Sequence, residues 1–365
     1  SRIIENEYKK TLAERDAQLQ WSNPEVAYDR EDVDVSEEYQ VTIGKGFSMP
    51  WAHLKKRSAW NERANGAEFL RQAQTIDHLA GLKSGYVTVQ AHNQYLVRLG
   101  QLRSILTDAS HVASTRHTEG HLSGVEEHLV QMTVISLNAS YQNAKQRQRE
   151  ALAHWRASLG FASEDSLVLS TDIEYRKFDL KPARQYVETI ESQPGLQARQ
   201  TLQQALTKQA SAARASFIPS FNLYGGYKKI EPGYDGYVAG ISLSLPLFNR
   251  NGAEARKYEA EGNIAAHEAQ LYRTQAIGRV RALAHSIQES QGMLATVAGH
   301  FDGDQEALNN LLYSYEEGWL TLNELLNAIQ IETAGLEDYF SQLIRYYENL
   351  FELEALTGDV LVAFE

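Results

Sequence analysis

Residues 236–246 read Gly-Tyr-Val-Ala-Gly-Ile-Ser-Leu-Ser-Leu-Pro, and they hold the clearest structural pattern in the chain. Every second position from Tyr237 to Leu245 is apolar, while the positions between them are mostly small or polar. A period of two is typical of a β-strand with one apolar face. The stretch therefore predicts a strand whose apolar side chains all point the same way.

A second alternating stretch, Phe221 to Lys228, precedes this strand, and turn-forming residues at 231–236 separate the two. Together they predict a β-hairpin at about 217–246. A weaker alternation of Tyr39, Val41 and Ile43 predicts an earlier hairpin at about 25–47.

The chain repeats itself at a period of about 196 residues, which indicates a duplicated unit. Four landmarks recur in the same order: Asn23-Pro24-Glu25-Val26 with Ile218-Pro219-Ser220-Phe221, Ser48-Met49-Pro50-Trp51 with Ser244-Leu245-Pro246-Leu247, Glu119-Gly120-His121-Leu122-Ser123 with Glu317-Gly318-Trp319-Leu320-Thr321, and Leu159-Gly160 with Thr357-Gly358. We predict a first repeat over residues 1–180 and a second over 181–365.

Each repeat is expected to contain a hairpin, a long helix and a return helix. Proline is absent from 51–181 and 247–365, which favours long helices at about 52–115 and 253–315, with return helices at about 123–160 and 321–357. In the last helix, a stripe at coiled-coil spacing comprises Ile329, Thr333, Leu336, Phe340, Leu343, Tyr347 and Leu350. Glycines inside the long helices indicate either close helix contacts or breaks.

Composition excludes several classes of protein. The chain has 43% hydrophobic residues, which is enough for a core, and its net charge of −12 argues against a nucleic-acid partner. Its lack of an apolar run of about 18 residues excludes a helical membrane span. The absence of cysteine excludes disulfides and thiolate chemistry.

Two hairpins supply only four strands, whereas a closed transmembrane barrel needs about eight or more. A membrane channel would therefore require several copies of the chain. The alternative is that the hairpins form a soluble sheet that caps a helical bundle.

Three landmarks in the second repeat resemble the outer-membrane efflux protein family, the TolC-like channels of Gram-negative bacteria. They are Leu245-Pro246-Leu247-Phe248, Tyr315-Glu316-Glu317-Gly318, and Leu353-Glu354-Ala355-Leu356-Thr357-Gly358. The resemblance implies a mostly α fold with β hairpins. It further implies a homotrimer that forms a 12-stranded transmembrane β-barrel in the outer membrane, continued by a 12-helix periplasmic α-barrel.

The resemblance also implies a passive channel that is not an enzyme and carries no cofactor. Its partners would be a periplasmic adaptor protein, an inner-membrane pump and outer-membrane lipid. Residues 161–182 would belong to an equatorial belt around the helices.

Acidic residues six positions beyond the tip glycines line the closed end of family channels, and the matching positions here are Glu126 and Glu324. A further family acid corresponds to Asn327, where this sequence is neutral. Six carboxylates at an aperture would attract cations and raise one another's pKa. The alternative is a solvated glutamate at a helix start.

The resemblance assigns the turns near Gly120 and Gly318 to the tips that contact the adaptor. The candidate tip residues are Gly120, Leu122, Ser123, Gly318, Leu320 and Thr321. Glycine suits a left-handed turn, and an exposed leucine offers an apolar contact, although a covered leucine in an ordinary turn fits equally.

Four histidines, His111, His117, His121 and His128, lie near the first tip. His117 and His121 have the spacing of a metal pair, but they straddle the predicted turn, so we expect a structural role and no metal site. No arrangement of residues indicates catalysis.

The transported substrate is read from short signals. Asn23 to Val26 and Lys55-Lys56-Arg57 resemble the branch of the family that serves heavy-metal cation exporters. The acidic residues Asp29, Glu31, Asp32 and Asp34 would suit cation passage if they faced the lumen. Metal-cation efflux is preferred, drug or other organic efflux is the alternative, and a soluble coiled-coil structural protein is the alternative of another class.

Overall fold

The computed structural model describes residues 2–33, 36–47, 49–161, 172–215, 220–231, 233–244, 251–301 and 305–362. The helices are α1 (Arg2–Leu19), α2 (Pro50–Thr118), α3 (Gly124–Leu159), α4 (Ala183–Thr189), α5 (Pro194–Ala215), α6 (Gly252–Phe301), α7 (Gln305–Glu316) and α8 (Leu322–Thr357). The strands are β1 (Glu25–Val33), β2 (Ser36–Phe47), β3 (Ser220–Glu231) and β4 (Tyr234–Ser244). The expectation of a mostly α fold with β hairpins is confirmed.

The chain divides into two compact units. The first comprises residues 1–75 and 190–276, and contains the sheet, α1 and α5. The second comprises residues 76–189 and 277–365, and contains α3, α4, α7 and α8. Each unit draws on both expected repeats, and the division into repeats at 1–180 and 181–365 stays a prediction.

The four strands form one antiparallel sheet in the order β1-β2-β3-β4. Each hairpin is therefore a neighbouring pair, and the two hairpins join through β2 and β3, where Val41 pairs with Tyr227. Within this sheet β1 and β4 each lack a second neighbour. Unpaired edge strands present free backbone donors and acceptors, and proteins normally cover or pair them.

The register gives the sheet one apolar face. Directly paired residues share a face, so the pairs Val26–Ile43, Tyr28–Val41, Tyr227–Tyr237 and Leu223–Ile241 project from the same side. All eight side chains are exposed, Tyr237 at 94%. The predicted alternation in residues 221–227 and 237–243 is confirmed.

The opposite face is mostly small or polar in its composition. Its small and polar residues include Glu25, Ala27, Asp29, Glu31, Gln40, Thr42, Gly44, Asn222, Lys228, Gly236, Gly240 and Ser242, and it also carries Tyr224, Ile230, Tyr234 and Val238. A sheet that exposes apolar side chains on all four strands differs from the sheet of a water-soluble protein, which normally packs its apolar face on a core.

Helix α2 runs without interruption from Pro50 to Thr118 and is longer than the predicted 52–115. The interpretation that glycines break this segment is wrong for α2. Two of its glycines make close contacts: a Cβ on Gly85 would lie 2.5 Å from Trp155 Cδ1, and one on Gly66 would lie 3.5 Å from the Leu202 backbone nitrogen. Gly81 has no neighbour within 4 Å of that position.

The second unit has its core along α8. Of the predicted stripe, Ile329, Leu336, Phe340, Leu343, Tyr347 and Leu350 are buried, and Thr333 is half-buried. A second buried row on the same helix contains Leu325, Tyr339, Tyr346 and Leu353. Helix α8 is thus covered on a wider face than a two-helix coiled coil requires.

In the described residues, no helix carries a segment both long and apolar enough to cross a bilayer. Several predicted features lie outside those residues: Pro219, the Leu245–Phe248 landmark, Asp34, Gly303 and the 162–171 part of the expected belt.

Candidate channel tip and acidic face

The two helical turns at Gly120 and Gly318 have the same backbone geometry. Both glycines are left-handed, with φ of +81° and +76°. At the first, Gly120 N–H donates to His117 O at 3.0 Å; at the second, Gly318 N–H donates to Tyr315 O at 3.1 Å. Because an L side chain is strained at such φ values, glycine is required at both turns.

Each turn is followed by a capping box that starts the return helix. Ser123 is the N-cap of α3, and its backbone N–H donates to Glu126 at 3.0 Å. Thr321 is the N-cap of α8, and its backbone N–H donates to Glu324 at 2.8 Å. Each N-cap hydroxyl accepts in return from the glutamate's own backbone N–H at 3.3 Å.

These hydrogen bonds lower the pKa of both glutamates, because they stabilise the charged form. Within one chain the pKa of each glutamate is therefore lowered, whereas crowding of several carboxylates at an aperture would raise it. Glu126 and Glu324 therefore have a demonstrated local role as capping residues, and their role in a ring at an aperture stays a prediction.

The other candidate tip residues differ in exposure. Asn327 is exposed on α8, whereas Leu122 and Leu320 are half-buried. The prominent apolar groups at the tips are instead Trp319, 70% exposed, and Val125, 72% exposed. The two leucines thus lie between the exposed and the covered alternatives that the sequence leaves open, and contact of the tip residues with an adaptor stays a prediction.

The side chain of His117 contacts residues of the first turn and of the helix start that follows it. His117 Nδ1 lies 2.9 Å from Leu122 O, and Nε2 lies 3.5 Å from a Glu127 carboxylate oxygen. Glu127 also accepts from Ser114 Oγ at 3.1 Å. Glu127 is thus bonded back to α2, while Glu126 occupies the capping position that matches Glu324. His111, His121 and His128 are exposed.

Arg116, which sequence reasoning missed, connects the two helical hairpins. Its guanidinium donates to Tyr315 O at 3.2 Å and to Glu316 O at 2.9 Å, and lies 4.8 Å from the Tyr315 ring centroid. These carbonyls end α7, where a cation is favoured by the helix dipole. A basic residue at the end of α2 was the only signal in the sequence, and it did not identify the partner.

The return helices differ in their outer faces. On α3, Val125, Leu129, Met132 and Ile135 form an exposed apolar stripe. The equivalent positions on α8, 198 residues later, are Asn323, Asn327, Gln330 and Thr333. The 4-3 spacing on α3 was visible in the sequence, but such a stripe more often indicates a buried core.

Most of the first hairpin's acidic residues lie on the polar face of the sheet. Asp29 pairs with Gln40, and Glu31 pairs with Glu38. Like charges placed directly opposite destabilise a sheet, and the ion pair between Lys228 and Glu38 offsets this. Asp32 lies on the opposite face, so only Asp29 and Glu31 have the expected common orientation.

The described part of the expected belt, residues 172–182, is held by α8. Tyr346 donates to Arg176 O at 2.9 Å, and Tyr347 donates to Glu174 O at 2.7 Å. Burial raises the pKa of Tyr347 to about 12, so its hydroxyl stays a donor.

The C-terminal segment is held through a buried carboxylate. Glu354 lies 2.7 Å from Lys83 Nζ and accepts from the backbone N–H groups of Leu361 and Val362 at 2.5 and 2.6 Å. Sequence reasoning missed this group because Lys83 and Glu354 are far apart in the chain.

The comparisons with known proteins agree with this architecture. The family model described as outer membrane efflux protein matches residues 186–358. This part of the chain is similar to the outer membrane efflux protein family. The predicted resemblance is thereby confirmed. No curated protein matches the chain.

Three solved structures share the fold along nearly the whole chain. The outer-membrane channel OprN is 14% identical, with 98% of this chain and 86% of its own covered and a TM-score of 0.78. CusC, whose structures are described in connection with transmembrane channel formation, is 16% identical, with 98% of this chain and 89% of its own covered and a TM-score of 0.74. The outer membrane protein VceC of Vibrio cholerae is 14% identical, with 98% of this chain and 92% of its own covered and a TM-score of 0.76. Identities this low show the fold alone.

Proposed function

We propose that the chain is one protomer of a homotrimeric outer-membrane channel that extends into the periplasm. It is a passive exit duct of a tripartite efflux system, with substrates delivered by an inner-membrane pump through a periplasmic adaptor. In this assembly, three copies of the four-stranded sheet form a 12-stranded barrel, and the helices continue as a 12-helix barrel. The protein performs no catalysis.

The observation that carries the proposal is the four-stranded sheet. Its apolar face is exposed across all four strands, which suits contact with lipid tails. Its edges, β1 and β4, each lack a second partner among the residues that the structure describes. Copies joined edge to edge would satisfy both edges and enclose the polar face as a lumen.

The assembly is tested on the protein purified from the outer-membrane fraction in detergent. We expect a trimer in solution that dissociates on heating, and a steady conductance in a planar bilayer. A stable monomer that stays in solution without detergent would instead support the alternative of a soluble coiled-coil structural protein.

The proposed adaptor contact comprises the tip turns and the exposed apolar stripe on α3. Leucine, methionine and valine at coiled-coil spacing suit an amphipathic partner helix. Leu129→Lys should abolish efflux while the channel still assembles, and Gln330→Lys, on the polar α8 stripe, is the matched control. Equal efflux by the two variants would contradict this contact.

The proposed gate is a ring of Glu126 and Glu324 from three copies, with Asn327 as a neutral inner position. Removing Glu324's negative charge should weaken the attraction of cations to the aperture. Glu324→Gln should therefore lower cation over anion selectivity in a bilayer, while Glu268→Gln on α6 should leave it unchanged. Unchanged selectivity in both variants would refute the gate.

The proposed cargo is heavy-metal cations. Support comes from the net charge of −12 and from Asp29 and Glu31 on the polar face of the sheet. A strain that lacks the channel should become sensitive to divalent metal salts. Sensitivity confined to organic compounds would favour the alternative, a drug efflux channel.

A further inference from the structure

A cavity of about 720 Å³ lies in the first unit where β2 ends. Four aromatic side chains line it: Trp21, Phe47, Trp60 and Tyr258. Trp21 stacks on His53 at 4.6 Å between ring centroids and contacts Phe47 at 6.1 Å. A volume of this size and an aromatic lining are typical of a site for a small organic molecule.

The polar residues that line the cavity include Gln209, Lys56 and Glu254. Gln209 is 6% exposed, and its Oε1 receives no hydrogen bond from the described residues. Lys56 is half-buried and makes no ion pair with any described residue, and Glu254 adds a carboxylate. A buried acceptor without a donor is costly, so a ligand that brings an N–H group gains from it.

We propose that this cavity binds one phosphoethanolamine lipid per chain. Its phosphate would be held by Lys56, its ammonium by Gln209 and Glu254, and the upper part of its acyl chain by Trp21 and Trp60. The choice of a lipid rests on the proposed function, because a membrane-spanning sheet places the end of β2 at the bilayer interface. Tryptophan and tyrosine are enriched at that level in membrane proteins.

The preference for an ethanolamine head group follows from the hydrogen-bond acceptors that line the cavity. A phosphocholine lipid has the same phosphate and acyl chains, but its quaternary ammonium has no N–H to donate. The cavity should therefore prefer ethanolamine over choline. Free phosphoethanolamine carries the same charges without the apolar part, and so should bind weakly.

The test is native mass spectrometry of the purified full chain, titrated with palmitoyl-oleoyl phosphatidylethanolamine, with the choline analogue and with free phosphoethanolamine. We expect one ethanolamine lipid per chain, with affinity about tenfold above that of either comparison compound. Equal binding of all three, or no saturable binding, would overturn the proposal.

Two variants test whether the lipid binds in this cavity. Ala212→Phe fills the space, and Lys56→Met removes the cation, so each should weaken lipid binding by about tenfold. Gln209→Leu should remove the preference for ethanolamine, whereas Gln204→Leu, exposed on the same helix, should not. Unchanged binding in both Ala212→Phe and Lys56→Met would refute the site.

The same mass spectra give the number of chains in each particle. They therefore distinguish failure of the lipid site from failure of the proposed trimeric channel. A trimer without saturable lipid binding refutes only the lipid site. A monomer that binds the ethanolamine lipid with the stated preference refutes only the trimeric channel.

Discussion

Glu126 and Glu324 stabilise the starts of the two return helices, and the same carboxylates are the ones proposed to line the aperture. Each carboxylate accepts hydrogen bonds from the backbone N–H and hydroxyl of its N-cap residue. These bonds satisfy donors at the start of the return helix and so stabilise that start. A charge at the proposed aperture is thus positioned by the helix start itself.

The capping boxes predict a pH dependence of the tips. Because the folded pKa of Glu126 and Glu324 is lowered, their stabilisation is complete above the ordinary value of 4.5. It is lost as the pH falls through the lower folded value. We expect hydrogen-exchange protection at Ser123 and Thr321, corrected for intrinsic exchange, to fall as the pH is lowered below 4.5.

The matched control for this titration is the double variant Glu126→Gln and Glu324→Gln. Its amides are expected to show no such transition, because glutamine does not titrate. A wild-type protection that stays constant over the same range would contradict the capping interpretation.

Lys83 and Glu354 form a buried ion pair that holds the C-terminal segment. Their side chains are 20% and 9% exposed, so removal of one partner leaves a buried charge. Lys83→Met should lower the free energy of unfolding by about 3 kcal/mol. Denaturant unfolding measures the loss.

The exposed pair Arg184–Glu188 provides the control for Lys83. Its side chains are 90% and 66% exposed, so Arg184→Met should change stability by less than about 1 kcal/mol. Equal losses in the two variants would show that burial does not determine the contribution of the Lys83 pair.

At the scale of elements, helix α2 depends on glycine where α3 approaches it. Trp155 lies against Gly85 and donates from Nε1 to Leu82 O at 2.9 Å. The ring occupies the space that a side chain would need. This contact fixes the position of α3 along α2.

A pair of substitutions separates packing from helix propensity. Gly85→Ala should destabilise the protein by about 1 to 3 kcal/mol, because the new Cβ overlaps Trp155. Gly81→Ala, one turn earlier and without neighbours, should stabilise it by up to about 1 kcal/mol. Thermal unfolding of both variants measures the difference, and a shift of the same sign in both would contradict the contact.

The elements with a strong internal period were predictable from the sequence. The alternation through Tyr237 and Ile241 identified a strand, and the Ile329 to Leu350 stripe identified the buried face of α8. The contacts of Arg116 and Gly85 were not predictable, because each depends on a partner brought near by tertiary packing. The α3 stripe was visible as a pattern, but only the structure shows that it is exposed.

For the whole molecule, the two faces of the sheet predict opposite responses to charge. Val41 lies on the apolar face near the middle of β2, and its neighbour Gln40 lies on the polar face. Val41→Arg should cost about 2 to 4 kcal/mol in a bilayer, since its charge would face lipid. We expect this variant to lose the heat-sensitive trimer from the outer-membrane fraction.

Gln40→Arg carries the same side chain one position away and should still assemble, because it faces the proposed lumen. Gel mobility with and without heating compares the two variants. Loss of assembly in Gln40→Arg but not in Val41→Arg would invert the assignment of the faces.

The even number of strands in the sheet has a geometric consequence. Because β1 and β4 run in opposite directions, the β4 of one copy meets the β1 of the next in antiparallel orientation whatever the number of copies in the ring. The pairing of the edge strands is therefore compatible with any number of copies in the ring. The stoichiometry must be decided by the bend of each sheet and by the helices, so substitutions that flatten the sheet would enlarge the ring and leave every junction chemically identical.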